Sequence, residues 1–120
     1  MRDVGDGHHA EDLWVQRERV RADERARALA EVRSKLPRAA AMLAEGGCSE
    51  AWLVGSFARG DPLADSDVDL IARGLLPRTR PQLWWDLGAL FGREVDLGEA
   101  ERMAPERLAL VLREGIRLLP

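Results

Sequence analysis

The sequence predicts an α/β chain of the α+β kind: a small mixed sheet of about four strands, flanked by helices and preceded by one long helix. Three observations carry this. The segments "AWLV", "SDVDLIA" and "REVDLG" are short and either continuously apolar or alternating, as strands are. The stretches around them carry apolar residues at helical spacing. A length of 120 residues with 46% hydrophobic content matches one small domain with a single core.

Taken in order, residues 1–10 ("MRDVGDGHHA") are polar, glycine-rich and without period, and are expected to be disordered. His8 and His9 lack a third ligand at helical spacing and are assigned no metal role. Residues 11–36 lack Gly and Pro and place Leu29, Val32 and Leu36 at helical spacing, so they form the N-terminal helix. Its "RERVRADERAR" segment mixes both charges and reads either as a solvated face laced with ion pairs or as an arm that docks a partner. Pro37 restarts the helix, with Ser34 as a candidate cap, and residues 37–120 make up the rest of the domain.

The second helix ends at Gly46-Gly47, and Ala51 to Val54 follow as a buried strand. In "SDVDLIA", Val68 and Leu70 face one side and Asp67 and Asp69 the other, because side chains alternate along a strand. Leu83, Trp84, Leu87, Leu90 and Phe91 then mark an amphipathic helix closed by Gly92, which puts Trp84 in the core and leaves Trp85 open between core and surface. A third strand carries Asp96 opposite Val95 and Leu97. Residues 104–114 form a helix with Pro105 in its first turn and Leu108, Val111 and Leu112 inward, before a last short strand in "GIRLL".

The chemistry sits in "GSFARGDPLADSDVDLIARG". Asp67 and Asp69 project from one face at neighbouring levels, and two unpaired carboxylates that close repel unless a cation lies between them. Hard oxygen donors suit Mg²⁺ or Mn²⁺. Asp96, on a strand able to lie alongside, adds a third carboxylate, and three can hold two metal ions. Gly55 and Ser56 end the preceding strand at a turn where a short helix can aim backbone N–H groups at an anion, with the serine hydroxyl as a further donor. Cations on one side and amides on the other suit a nucleoside triphosphate held for in-line attack. Asp65, Asp67 and Asp69 also imitate the start of a calcium loop. That reading fails, since the sixth position is Leu70 rather than Gly and the twelfth Leu76 rather than Glu. Asp61 and Asp65 read as loop charges around the metal strand, and Glu99 and Glu101 as solvated.

Gly55-Ser56, ten residues, then Asp67-x-Asp69 resembles the signature of nucleotidyltransferases of the DNA polymerase β type. More narrowly, "GSFARGD" with "SDVDL" resembles the minimal nucleotidyltransferase (MNT) family, over about Glu50 to Gly98, and "VLREGIRLL" looks like its final helix and strand. The resemblance implies a polymerase β palm-like fold. It implies Gly55 and Ser56 on the triphosphate of ATP, Asp67 and Asp69 as metal ligands, and Asp96 as third carboxylate and general base. Arg59 belongs to the motif and either braces the turn or neutralises phosphate.

Proteins of this family are typically paired with a helical HEPN-domain protein, so the resemblance implies such a partner in a hetero-oligomer. In toxin–antitoxin pairs the MNT member resembles an antitoxin that transfers AMP to a tyrosine of the HEPN ribonuclease. The chain contains no tyrosine, so modification of its own tyrosine is excluded. A partner protein, an RNA end or a small-molecule hydroxyl remains as acceptor, beside a non-catalytic antitoxin that acts by binding. A net charge of −3 argues against a sequence-independent grip on nucleic acid. Cys48 is a lone cysteine and the first residues lack a signal-peptide pattern, so a cytoplasmic protein is expected. No apolar run approaches the roughly 20 residues of a membrane span.

Overall fold

The computed structural model describes residues 2–119. In chain order the elements are α1 (Arg2–Ser34), α2 (Leu36–Glu45), β1 (Glu50–Val54), α3 (Ser56–Arg59), β2 (Val68–Arg73), α4 (Arg80–Phe91) and β3 (Val95–Glu99). A 3₁₀ turn (Ala100–Arg102), α5 (Pro105–Leu112) and β4 (Ile116–Arg117) complete the chain. The four strands form one mixed sheet in the order β3-β2-β1-β4, with β2 and β3 parallel and the other pairs antiparallel. The expected fold class is the observed one.

Both faces of this sheet are covered, which explains why β1 reads as an unbroken apolar run. Ala51 and Leu53 face the main core, where Val68, Leu70, Val95 and Leu97 meet Val32 of α1, Leu43 of α2, and Leu83, Leu87 and Phe91 of α4. Trp52, Val54 and Ile71 face the other way, under Leu108, Val111 and Leu112 of α5. Because α5 has only partly buried residues, this second layer is thin and leaves one end of the sheet open.

Two local readings need correction, those of Ser34 and Trp84. Helix α1 begins at Arg2 in the described backbone. The side chains of residues 2–11, His8 and His9 among them, lie outside the described ones. Ser34 does not cap α2: its Oγ bonds the Glu31 carbonyl at 2.7 Å within α1, and Lys35 holds the cap position while Pro37 sits in the first turn. Trp84 is half-exposed rather than core, because the buried stripe of α4 runs through Leu83, Leu87 and Phe91 and turns Trp84 towards the sheet edge.

Most of α1 projects beyond the domain, so that the molecule as a whole measures 68 Å along its longest axis. Among the described side chains of α1, those of its last turns, Ala28 and Val32, are buried in the core. Along the projecting part an Arg21–Glu18 ion pair forms at 3.3 Å, as the mixed charges predict. Among the described residues no helix is long and apolar enough to cross a membrane.

Candidate functional site

At the open end of the sheet, the turn after β1 meets the starts of β2 and β3. Gly55 adopts φ +75°, ψ −155°, a conformation essentially closed to other residues. A Cβ at this position would overlap Asp69 Oδ2 and lie 3.3 Å from Asp69 Cγ. The glycine therefore lets the Asp69 carboxylate pack against the turn backbone, a tighter requirement than the approach of phosphate inferred from sequence alone.

The turn continues into α3, where Ala58 N–H and Arg59 N–H donate to Gly55 O at 3.1 and 3.0 Å, and Gly60 N–H and Asp61 N–H to Ser56 O at 2.9 and 3.0 Å. Ser56 and Phe57 occupy the first turn, whose amides have no intrahelical acceptor. Phe57 is fully buried and anchors α3 to the core, a contribution of about 1.5–3 kcal/mol for a side chain of this size.

Two arginines that the sequence reading passed over fix this region. Arg33, near the end of α1, donates to Phe57 O at 3.2 and 3.0 Å and to Ala58 O at 2.9 Å, closing the C-terminal end of α3 with a positive charge. Arg93 stacks on the Phe57 ring at 5.1 Å and donates to Ala64 O at 3.0 Å and Ser66 O at 2.9 Å, so it pins the loop that leads into Asp67. Neither belongs to a local pattern, since their partners lie 24 or more residues away.

Asp69 and Asp96 are register partners on the parallel strands β2 and β3, and Val54 is opposite Asp69 on β1. The two carboxylates thus leave the same face at the same level, on strands about 4.8 Å apart. Burial pushes the Asp69 carboxyl above its usual range, the charges of Asp96 and Asp67 push it further, and the Arg59 guanidinium opposes them. Asp67 is exposed, one residue before β2.

Gly55, Arg59, Asp69 and Asp96 line a common cleft of about 730 Å³, with Arg107 and Glu114 on its α5 side. Ser56 and Asp67 are not part of its lining, although Asp67 acts on Asp69 through charge. Arg59 pairs with Asp61 at 3.4 Å and with Glu114 at 3.7 Å, so it ties α3 to the chain beyond α5 while its charge reaches the carboxylates.

Glu99 and Glu101 are not simply solvated. Glu99 pairs with Arg80 at 3.4 Å and Arg102 at 3.7 Å. Glu101 accepts the Gly74 N–H at 2.6 Å, a bond that holds its carboxyl below the usual range.

The donor set is all oxygen and carries excess negative charge, which fits a hard divalent cation. Among the described residues no three acidic, His or Cys groups close on one point as a finished metal cage. Mg²⁺ does not need one, since it characteristically keeps several waters and binds through one or two carboxylates plus substrate phosphates. Asp69 and Asp96, with Asp67 nearby, fit that mode.

A family model for the nucleotidyltransferase domain matches residues 27–117. The solved structure of a candidate minimal nucleotidyltransferase is 31% identical and superposes with a TM-score of 0.66, covering 73% of this chain and 93% of the other. A toxin–antitoxin complex with AMP-PNP contains a chain that is 22% identical, at TM-score 0.56, covering 65% of this chain and 67% of that one. The complex of a tri-AMPylated Shewanella oneidensis HEPN toxin with its MNT antitoxin matches at 18% identity and TM-score 0.55, covering 72% of this chain and 70% of that one. The last two bear on the fold alone. None of the curated proteins is significantly similar. The chain belongs to the nucleotidyltransferase domain family.

Proposed function

We propose that this member of the nucleotidyltransferase family transfers AMP from ATP to a hydroxyl of a partner protein, as an antitoxin that AMPylates a tyrosine of a HEPN ribonuclease toxin. The observation that carries the chemistry is the approach of the Gly55 turn to Asp69, with Asp96 level on the next strand. The antitoxin part is an extension from the shared fold, since one chain of that fold was solved as an MNT antitoxin with its HEPN toxin; the absence of tyrosine removes only modification of this chain's own tyrosine.

In this reading the free amides of α3 and the Ser56 hydroxyl bind the triphosphate, and Asp67, Asp69 and Asp96 would hold one or two Mg²⁺ or Mn²⁺ ions. Such ions, when bound, would supply positive charge to the phosphate oxygens and the leaving group. Arg59 adds positive charge beside the carboxylates and braces α3. Asp96 takes the proton of the acceptor hydroxyl as its oxygen bonds to the α-phosphorus. The bond from that phosphorus to the bridging oxygen breaks, and pyrophosphate leaves with the electron pair.

The test is label transfer from α-labelled ATP onto the purified HEPN partner. Wild type should label it, Asp67→Ala and Asp69→Ala should not, and Asp96→Asn should lose about 10²–10⁴-fold in rate, the scale for a removed acid–base group. If the three variants restrained the partner in cells as well as wild type, the protein would act by binding and the enzymatic reading would be withdrawn. Labelling of an RNA end or a small-molecule hydroxyl instead would redirect the acceptor and leave the chemistry standing.

A further inference from the structure

Strand β3 is an edge strand, hydrogen-bonded to β2 on one side only. Glu94 O accepts from Val68 N–H at 2.9 Å, so residues 94, 96 and 98 turn their backbone groups towards β2. Residues 95 and 97 turn theirs outward, where an edge would normally be open. Here it is closed by side chains of α4. Trp84 Nε1 donates to Val95 O at 2.8 Å, and Arg80 Nη2 donates to Leu97 O. The match is geometric: positions i and i+4 of a helix lie about 6 Å apart on one face, close to the roughly 6.7 Å between alternate residues of a strand. Arg80 is itself tethered by Glu99 at 3.4 Å.

The two clamped carbonyls flank Asp96. Asp96 stands level with Asp69, and like charges directly opposite on neighbouring strands push those strands apart. Pairing on one side gives an edge strand little to resist that push. We propose that Trp84 and Arg80 are positioning residues for Asp96, clamping the outer edge of β3 so that its carboxylate stays at the level of Asp69. The clamp stands on the hydrogen bonds alone; its consequence for AMP transfer rests on the role given to Asp96 above.

The experiment uses the full chain with Trp84→Phe, which removes one N–H and keeps an aromatic ring, and with Arg80→Met and Arg80→Lys. Hydrogen exchange reads the amides of Asp96 and Gly98, which face β2, against those of β1. Steady-state transfer to the HEPN partner is measured beside it, with a thermal melt to show that each variant is folded. Trp84→Phe and Arg80→Met should speed β3 exchange by at least about tenfold while β1 is unchanged. Both should lower kcat by about 10–100-fold, the scale of an ångström-level misplacement, with the KM for ATP far less affected. Arg80→Lys, which keeps a donor and the charge, should recover part of the rate.

Unchanged β3 exchange in both Trp84→Phe and Arg80→Met would overturn the clamp. Loosened exchange with an unchanged kcat would overturn the positioning role. If wild type transferred nothing to any partner, the functional reading would fail, and the exchange data would still decide the clamp.

Discussion

Substitution of Gly55 by alanine tests the link between the turn backbone and the Asp69 carboxylate most directly, because two costs fall on one atom. The conformation at φ +75°, ψ −155° is essentially glycine-only, and holding another residue there costs on the order of 1–3 kcal/mol. The new Cβ would also overlap Asp69 Oδ2. Relief requires either that the turn rotate, which misdirects the amides of α3, or that the Asp69 carboxylate swing away from Asp96. Gly60→Ala supplies the control. Gly60 also has positive φ, +89°, yet its Cβ would meet only Arg33 Nη2, at an ordinary 3.7 Å. It should suffer the left-handed penalty of about 1–2 kcal/mol and nothing at the carboxylates.

Both variants should therefore melt lower, by roughly 3–6 °C per kcal/mol for a chain of this size. They should separate in binding. By calorimetry with Mg²⁺ and ATP, Gly55→Ala should lose about 10–100-fold in affinity, the scale for a metal ligand that loses its orientation. Gly60→Ala should stay within about twofold, as substitutions away from a site do. Equal loss of stability in the two variants with full affinity retained in both would refute the reasoning and reduce Gly55 to a turn residue.

ATP affinity should depend on a divalent cation because of the clustered carboxylates; equal affinity in Mg²⁺ and in EDTA, by calorimetry, would remove the metal from the site. Without metal, Asp69→Asn should raise the melting temperature at pH 7. The native Asp69 pKa is raised by burial and by Asp96 and Asp67, so the folded state binds the proton more tightly than the unfolded one, and stability falls as pH rises from the ordinary carboxylate pKa to the raised one. The advantage of Asn should accordingly vanish in melts run below the ordinary carboxylate pKa, and an advantage that persists there would point to packing instead. Arg33→Ala should cost about 1–3 kcal/mol, the range for a hydrogen-bonded charge, and Arg33→Lys should restore only part because an ammonium has no counterpart of the Nε–H that gives Phe57 O its second bond. Denaturant midpoints at constant m-value check this.

The strands and the carboxylate face were legible in the sequence because they depend on period. Val68 and Leu70 alternate with Asp67 and Asp69, and Val95 and Leu97 flank Asp96, so the faces follow from the pleat. What joined those faces was not local. Arg33 reaches Phe57 across 24 residues and Arg93 reaches Ala64 across 29, and nothing in the neighbouring residues of either arginine marks it for that contact. The half-exposed place of Trp84 is hidden from the sequence for a related reason. An aromatic residue next to an apolar stripe looks like core until the sheet edge beside it is known to have open carbonyls. Ser34 failed as a cap because its hydroxyl found an acceptor one turn back, a competition that propensity alone does not resolve.

The placement of the carboxylates is itself a product of the core. Register on parallel strands is a choice between alternatives one residue apart, and each slip turns every side chain to the opposite face. Moving β3 by one position against β2 would separate Asp96 from Asp69 and end their repulsion, a gain of about 0.2–1 kcal/mol for like charges across strands. The same slip would lift Val95 and Leu97, both buried, out of the layer they share with Val68 and Leu70. At about 1.5–3 kcal/mol for each large apolar side chain, that loss exceeds the gain several-fold. The apolar alternation of β2 and β3 thereby holds two carboxylates together against their own repulsion, and the cation proposed for the site would bind into a conflict that the core has already imposed.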